Sequence, residues 1–527
     1  MEKLNNVLPE AQEEAHAAAG YMETPLLVQV RQKFGVFGTV SLVFGGFLAL
    51  LFYKTWIGLN VFLYTVVMIA LISIIMKHLS RRIKTGTKFY FTGAFLLSVS
   101  SCLTSSAELL FFNILGILLL LLVTLLHQFH EDSRWDFPEY FRRMLGTVFY
   151  SVASIPLPFS DSINFLKHIK MFKNDKSRNV LIGFLAAIPV LLIITGLLSS
   201  ADLLFRKMTN NIFSNIITAD IFAFTIIIII GFLVCYCILC GSAMQAGKER
   251  SVSAKKADAS IAITFMSLLC LVYAIFCAIQ ILYLFSNGFL MLPQEFTFSE
   301  YARRGFFELL AVTIINIILM LLCNAFFKES RLLRILLTFM TICTYIMIAS
   351  SAYRMFLYIS VYHLTFLRLL VLLMLLIDAF ILAGVIISQY NRKFPLFYYG
   401  IAVVTVSYLV FSFAKPDYYI AAYLIDHKET LELEDMRFLT RELSLDAAPC
   451  VLPAINNSAL WSLTEEQQDG NFYKTGSNQE LYGNNSTGYY IGSYYDQIEK
   501  AKKNTGFRDF NYSNYSAARA ADRYPEY

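Results

Sequence analysis

Eleven predominantly apolar stretches, each 17 to 25 residues long, occupy most of the chain up to residue 415. They run over 34–53, 57–76, 89–105, 109–129, 180–200, 221–244, 261–285, 306–327, 335–359, 364–388 and 395–414. A helix needs about 20 apolar residues to cross a bilayer. In hydrocarbon each backbone amide must find its partner inside the segment, so runs of this length span as helices. The expected fold class is therefore an all-α polytopic membrane protein with about eleven transmembrane helices, 89–105 being the shortest. Composition agrees. Of 527 residues, 57% are hydrophobic and 15% charged, whereas soluble domains carry about 25% charge. A soluble enzyme, a disordered chain and a disulfide-built module are excluded. Eight of the nine cysteines lie inside apolar runs and only Cys450 lies in a polar segment, so no disulfide framework is expected. Residues 1–33 are mostly polar, and the first apolar run lacks a small-residue cleavage site, so no cleavable signal peptide is expected.

The short polar links carry a second pattern. Taken alternately from the N-terminus, one set of links holds 25 Lys and Arg and the other holds 5. Basic loops stay on the cytoplasmic side. The expectation is a cytoplasmic N-terminal segment (1–33), a transmembrane domain (34–415) and an extracytoplasmic tail domain (416–527). A basic balance can also signal nucleic acid, but these bases are scattered between spans, and no nucleic-acid partner is expected. The tail is acidic, with 17 Asp and Glu against 10 Lys and Arg, and it holds 13 of the 31 tyrosines. Its first part, 416–455, has helical periodicity. The Gly-, Asn-, Ser- and Tyr-rich stretch 461–495 reads as loop, and a helix can begin at Asp496. The tyrosines suit the core of a small domain better than a carbohydrate site. The long link 130–179 mixes bases with large apolar residues, as in Tyr140-Phe141-Arg142-Arg143-Met144-Leu145, and suits helices lying along the inner membrane surface.

Charges inside spans are costly and default to functional candidates. Asp378 stands near the middle of 364–388 among apolar neighbours and is a candidate proton relay or cation ligand; the competing role is a hydrogen-bonded structural acid. A second group, Asp202, Arg303, Arg304, Glu308, Arg354 and Arg368, falls near the span ends on the tail side. The arginines can grip the phosphate of a lipid headgroup or lipid-linked sugar. With acids and bases both present, an ion-pair network that locks helices and docks the tail, each arginine facing a carboxylate, is the preferred reading. Cys235, Cys237 and Cys240 do not share one helix face, so they form no expected metal cluster. No phosphate-binding Gly-rich loop, metalloprotease helix or nucleophile elbow is present, and Glu295 and Glu300 are weak candidates for a catalytic acid. No cofactor, metal or catalytic residue is expected.

Several stretches resemble a known family. They are Leu198-Ser199-Ser200-Ala201-Asp202, Glu300-Tyr301-Ala302-Arg303-Arg304-Gly305-Phe306-Phe307-Glu308-Leu309, Ser351-Ala352-Tyr353-Arg354-Met355 and Tyr362-His363-Leu364-Thr365-Phe366-Leu367-Arg368. Pro416-Asp417, Leu443-Ser444-Leu445-Asp446-Ala447-Ala448-Pro449 and Phe510-Asn511-Tyr512-Ser513 continue the match. The chain resembles bacterial multi-pass membrane proteins of the uncharacterised domain of unknown function 4153/4173 type, over about 180–520. Two positions depart from that pattern: His363 stands where Gly is usual, and Lys415 where Asn is usual. The resemblance implies a membrane topology and an exported helical tail, and brings no activity.

Three functions are weighed, and the first is preferred. The first is a non-enzymatic scaffold or sensor of the bacterial cell envelope, contacting membrane lipids and binding an envelope protein or wall component through its tail. The second is a secondary transporter or lipid flippase using Asp378. The third is a lipid-linked transferase acting through the arginines.

Overall fold

The structure, a computed structural model, describes residues 24–132, 135, 137–168, 219–246, 256–285, 305–391, 393–457, 487–503 and 506–525, with eight further positions between 183 and 205. Among the described residues the regular structure is helical, with one isolated bridge between Ala257 and Phe327.

A first helix group holds α1 (Pro25–Gln32), α2 (Phe34–Phe52), α3 (Leu59–His78), α4 (Thr87–Leu103), α5 (Ala107–Phe129), α6 (Phe137–Ala153), α7 (Pro156–His168) and α8 (Ala219–Ala246). A second group holds α9 (Ala259–Phe285), α10 (Phe306–Phe326), α11 (Arg331–Tyr362) and α12 (Phe366–Tyr390). Each has its own apolar core, one around Phe37, Tyr90 and Tyr236, the other around Met266, Met320, Met340 and Leu382. Helix α13 (Leu396–Phe413) packs on both α12 and α4 and so joins the groups.

Nine helices among the described residues are long and apolar enough to cross a membrane: α2, α3, α5 and α8 to α13. The protein is an all-α polytopic membrane protein. Of the eleven spans expected, 89–105 is α4, at 17 residues, and 180–200 lies largely outside the described residues. Helix α4 is seated by a buried polar knot, in which Ser100 meets Ser412 of α13 at 2.6 Å and Ser412 donates to Asn113 of α5 at 3.0 Å. Small residues let α2 and α8 touch: a Cβ on Gly231 would lie 2.6 Å from Gly45 Cα, the close approach that membrane helices use. Polar residues also set the ends. Thr24 Oγ1 accepts from Leu27 N to cap α1 and donates to Ala243 O of α8 at 2.7 Å.

The links contact one another in the same two sets that their charge defines. On the basic-loop face, Lys33 Nζ donates to His78 O, Arg81 Nη1 to Gln128 O and Phe129 O, and Lys84 Nζ to His130 O. These cations sit on carbonyls that the ends of α3 and α5 leave unpaired, the favoured end of the helix dipole for positive charge. On the opposite face, Lys54 pairs with Asp220 at 2.6 Å, and the tail packs down. In the long link, α6 exposes Phe141, Leu145, Val148, Phe149 and Val152 as one apolar row while Arg143 turns inward.

The tail forms a helical unit of α14 (Pro416–His427), α15 (Leu433–Arg437), a π-helical turn at Phe438–Glu442, α16 (Ala448–Ile455), α17 (Thr487–Lys503) and α18 (Tyr512–Arg523). Its core of Ile420, Leu424, Leu439, Val451, Leu452, Tyr494 and Ala517 extends onto Leu364, Phe366 and Leu369. The expectation of loop through 461–495 is corrected at its end, because α17 begins at Thr487. Gly488, Gly492 and the tyrosines lower helix propensity, but Tyr490, Ile491, Tyr494 and Ile498 make a buried stripe at helical spacing, and that burial wins. Residues 458–486 lie outside the described residues.

Buried hydrogen bonds fasten the tail. Phe510 O and Arg508 O accept from Leu59 N and Asn60 N at 2.9 and 3.0 Å. Asn511 Nδ2 donates to Thr104 O at 2.7 Å, and the Thr104 hydroxyl donates to the Asp446 carboxylate. Both departures from the resembled family pattern lie on this side. His363 has φ of 70° and Lys415 has φ of 52°, the left-handed region where Gly and Asn sit most easily.

Candidate functional site

Asp378 lies 12 residues into α12, or about 18 Å from its tail-side end at 1.5 Å per residue. It is 8% exposed, and Thr313 of α10 donates to its Oδ2 at 2.8 Å. One turn along α10, Asn316 accepts from Tyr273 of α9 at 2.6 Å and donates to Thr344 of α11 at 3.0 Å. Nearer the tail, Gln280 Oε1 accepts from Ser350 at 2.6 Å and from Arg354 Nη2 at 3.2 Å. The second helix group thus carries polar side chains at successive depths, with Asp378 as the acid among them. Asp378, Leu382, Val385 and Gln389 are spaced i, i+4, i+7 and i+11, so they share one face of α12. All four are buried.

Of the group expected at the span ends, Asp202, Glu308, Arg354 and Arg368 are among the described residues. Asp202 is exposed, and Arg303 and Arg304, like Glu295 and Glu300, lie outside the described residues. Glu308 accepts from Gly305 N at 2.9 Å and so caps α10. Arg354 is buried in the bundle against Gly305, whose φ of 114° and lack of a Cβ leave room for the guanidinium. Arg368 sits at the rim. Its Nη1 donates to Tyr362 O at 2.7 Å and to His363 O, and its guanidinium stacks 4.3 Å from the Tyr358 ring. Carbonyls and an aromatic face therefore occupy Arg368 where a carboxylate partner was expected. Through Nη1 it straps the α11–α12 turn.

Sequence reasoning missed a site on the basic-loop face. At the α5–α6 turn, Asp132 is 4% exposed and its Oδ2 collects three partners. His127 Nδ1 lies at 2.7 Å, and the hydroxyls of Tyr398 and Tyr140 donate at 2.6 and 3.0 Å. Burial pushes the Asp132 carboxyl up, but the hydrogen bonds from His127, Tyr398 and Tyr140 outweigh it and hold the group below its ordinary value. The carboxylate can only accept, so it fixes the proton of His127 on Nδ1. Beside it, burial lowers His130, with help from Arg143, to about 4. These residues stand at 127, 130, 132, 140 and 398, so no linear motif announces them. The readable signal was the polar run His127-Gln128-Phe129-His130-Glu131-Asp132 closing a span.

Next to this network lies a cavity of about 410 Å³ between the two helix groups. Asp132, Tyr140 and Tyr398 form one wall, and the opposite wall comes from the ends of α10, α11 and α12. Lys256, Lys328, Arg334 and Lys393 line it, with Glu329. Gln389, near the end of α12, also lines it, 11 residues or roughly 16 Å along the helix from Asp378. The arrangement can hold a polar solute near buried hydroxyls and a carboxylate. Leu382 and Val385, each 0% exposed, stand on α12 between the cavity and Asp378.

No curated protein and no solved structure matches the chain. A family described as "Domain of unknown function (DUF4153)" matches residues 91–453, which runs from within α4 to within α16 and takes in Asp378, the Asp132 network and every described cavity residue. The match covers well over half of the chain, and this multi-pass membrane protein belongs to the DUF4153 family.

Proposed function

We propose that the protein is a secondary transporter in which Asp378 takes up and releases a proton or a small cation. One observation carries this reading: a carboxyl buried halfway along a spanning helix, hydrogen-bonded among the described residues by one hydroxyl, that of Thr313. Holding a charged acid at that depth costs about 3 kcal/mol, and a helix scaffold gains nothing from it. The buried face of α12 supports the same reading, since it runs from Asp378 past Leu382 and Val385 to Gln389 at a cavity wall. On that face of α12, Leu382 and Val385 stand between the acid and the cavity. The loop charges support a cytoplasmic basic-loop face and an extracytoplasmic tail, so the cavity faces the cytoplasm in this reading.

A pH or sodium jump on proteoliposomes attached to a solid-supported electrode tests it without knowledge of the substrate. The intact protein gives a transient charge displacement, Asp378→Glu retains it with altered pH dependence, and Asp378→Asn loses it while remaining monodisperse. A wild-type trace that matches Asp378→Asn, or empty liposomes, refutes the proposal.

A second reading is a scaffold or sensor of the bacterial cell envelope with a partner-binding tail. The buried joints between the tail and the loops at 59, 60 and 104 favour it, because they couple anything bound by the tail to the first helix group.

A further inference from the structure

We propose that the turn at 506–510 seats the tail in the lipid headgroup layer, with Phe507 and Trp56 as its wedge and Arg508 holding the phosphate of an anionic lipid. The proposal is independent of Asp378. Asp509 N donates to Gly506 O at 3.1 Å, so a closed turn carries Phe507 and Arg508 at its tip. Turn tips ordinarily hold small or polar residues, yet Phe507 is 76% exposed. Two bonds to Asn60, at the start of α3, fix the height of the turn. Asn60 N donates to Arg508 O at 3.0 Å, and Asn60 Nδ2 donates to Trp56 O at 2.9 Å. The turn therefore lies beside Trp56, which is 70% exposed in the link between two spans. Arg508 Nη1 reaches along α2 to Leu50 O, two residues or about 3 Å inside the end of that helix. Leu50 is itself exposed and continues the exposed apolar row of Val43 and Phe47 on the same span.

That height decides the occupant. Lipid covers the apolar row of a spanning helix, and this row meets two aromatic rings and a cation at its tail-side end. The order is the one a bilayer presents: hydrocarbon, headgroup boundary, phosphate. Tryptophan and other aromatic rings settle at that boundary, where one side is apolar and the other wet. Charge says which headgroup. Lys54, on the same link, is answered by Asp220 at 2.6 Å. Arg508 caps one of the last four carbonyls of α2, which have no amide partner within the helix. Among the described residues it makes no ion pair at a distance of 4.0 Å or less. A guanidinium has five N–H donors, so a single bond from Nη1 leaves most of the fork open to a phosphate, which it matches in shape and charge.

The test places the full chain in phosphatidylcholine nanodiscs and reads the emission that Phe507→Trp adds to the unsubstituted protein. Phosphatidylcholine brominated high on its acyl chains should quench most of that added emission, and lipid brominated near the chain ends should quench less. Restricting the bromine to a minor fraction of phosphatidylglycerol then measures the local preference for an anionic lipid. The expected preference over phosphatidylcholine is about fivefold, the worth of one basic side chain at a bilayer surface. Arg508→Gln should bring it to about one, and inorganic phosphate at constant ionic strength should leave it unchanged. The proposal is overturned if the added tryptophan escapes both brominated lipids, because the turn then faces water or another segment of the chain. It is equally overturned if the preference is about one with Arg508 intact, a result that does not require the Gln variant to fold. Full preference in Arg508→Gln would mean that the guanidinium serves only α2, and loss of the preference to inorganic phosphate would assign a free anion; either result refutes the lipid site.

Discussion

Protonation of His130 should unfasten the basic-loop face of the first helix group as the pH falls from 7 to 5. The ring caps α5, is 2% exposed and packs 5.1 Å from Trp135. Burial, then the nearby Arg143 guanidinium, lower it to about 4 from the ordinary 6.5; Asp132 works in the opposite direction and is too weak to offset them. The folded protein therefore keeps the ring neutral where the unfolded chain protonates it. The associated stability is fully present above about pH 6.5 and is lost as the pH falls toward 4. A fall from 6.5 to about 4 is worth about 3 kcal/mol in total, of which about 2 kcal/mol disappears between pH 7 and pH 5. His130→Phe keeps a ring against Trp135 and removes the titration. Denaturant unfolding at a series of pH values, read by tryptophan fluorescence, should give a stability difference between pH 7 and pH 5 that is about 2 kcal/mol smaller in the variant. The depressed Asp132 acts below this window and leaves the comparison clean. Equal pH slopes for the two proteins would refute the reasoning.

Two further outcomes follow from the same structure. His363→Gly should raise stability by about 1 kcal/mol, since His363 holds φ of 70° with an extended ψ of 168°, a region nearly reserved for Gly; the entropy that Gly adds to the unfolded chain offsets part of the gain, and an unchanged or lowered denaturation midpoint would contradict the assignment. For orientation, a cysteine placed at Ser486 in a background lacking Cys450 should react with an impermeant thiol reagent in intact cells, and one placed at Ser253 should not; the reverse pattern would invert the topology.

What sequence could convey about this chain follows from the length scale of each interaction. Spans were legible because a helix in hydrocarbon must be apolar along its whole length, and each of the nine long helices falls on an expected run. The grouping of the links was legible because charge alternates with every crossing. Asp378 was legible as an acid out of place, and its burial beside Thr313 is what the apolar context implied. The Asp132 network was not, because Tyr398 joins it from 266 residues away. Nor was the cavity, which exists through the way α10, α11 and α12 end against α6 and the α13 link. The error at α17 has a different origin. Two glycines and a serine hid a stripe of four buried residues, and tertiary burial overrode a weak local preference.

The joint between the tail and the α2–α3 link also dictates the timing of assembly. Leu59 and Asn60 receive their backbone acceptors from Phe510 and Arg508, so an early hairpin waits for residues made far later in the chain. Until then, the Thr104 carbonyl and hydroxyl, which end up 1% exposed, stay without Asn511 and Asp446. A chain cut short anywhere before residue 508 can insert its spans and still present an unfinished, wet seam on that face. The seam closes only when residues 508–511 dock against Leu59, Asn60 and Thr104.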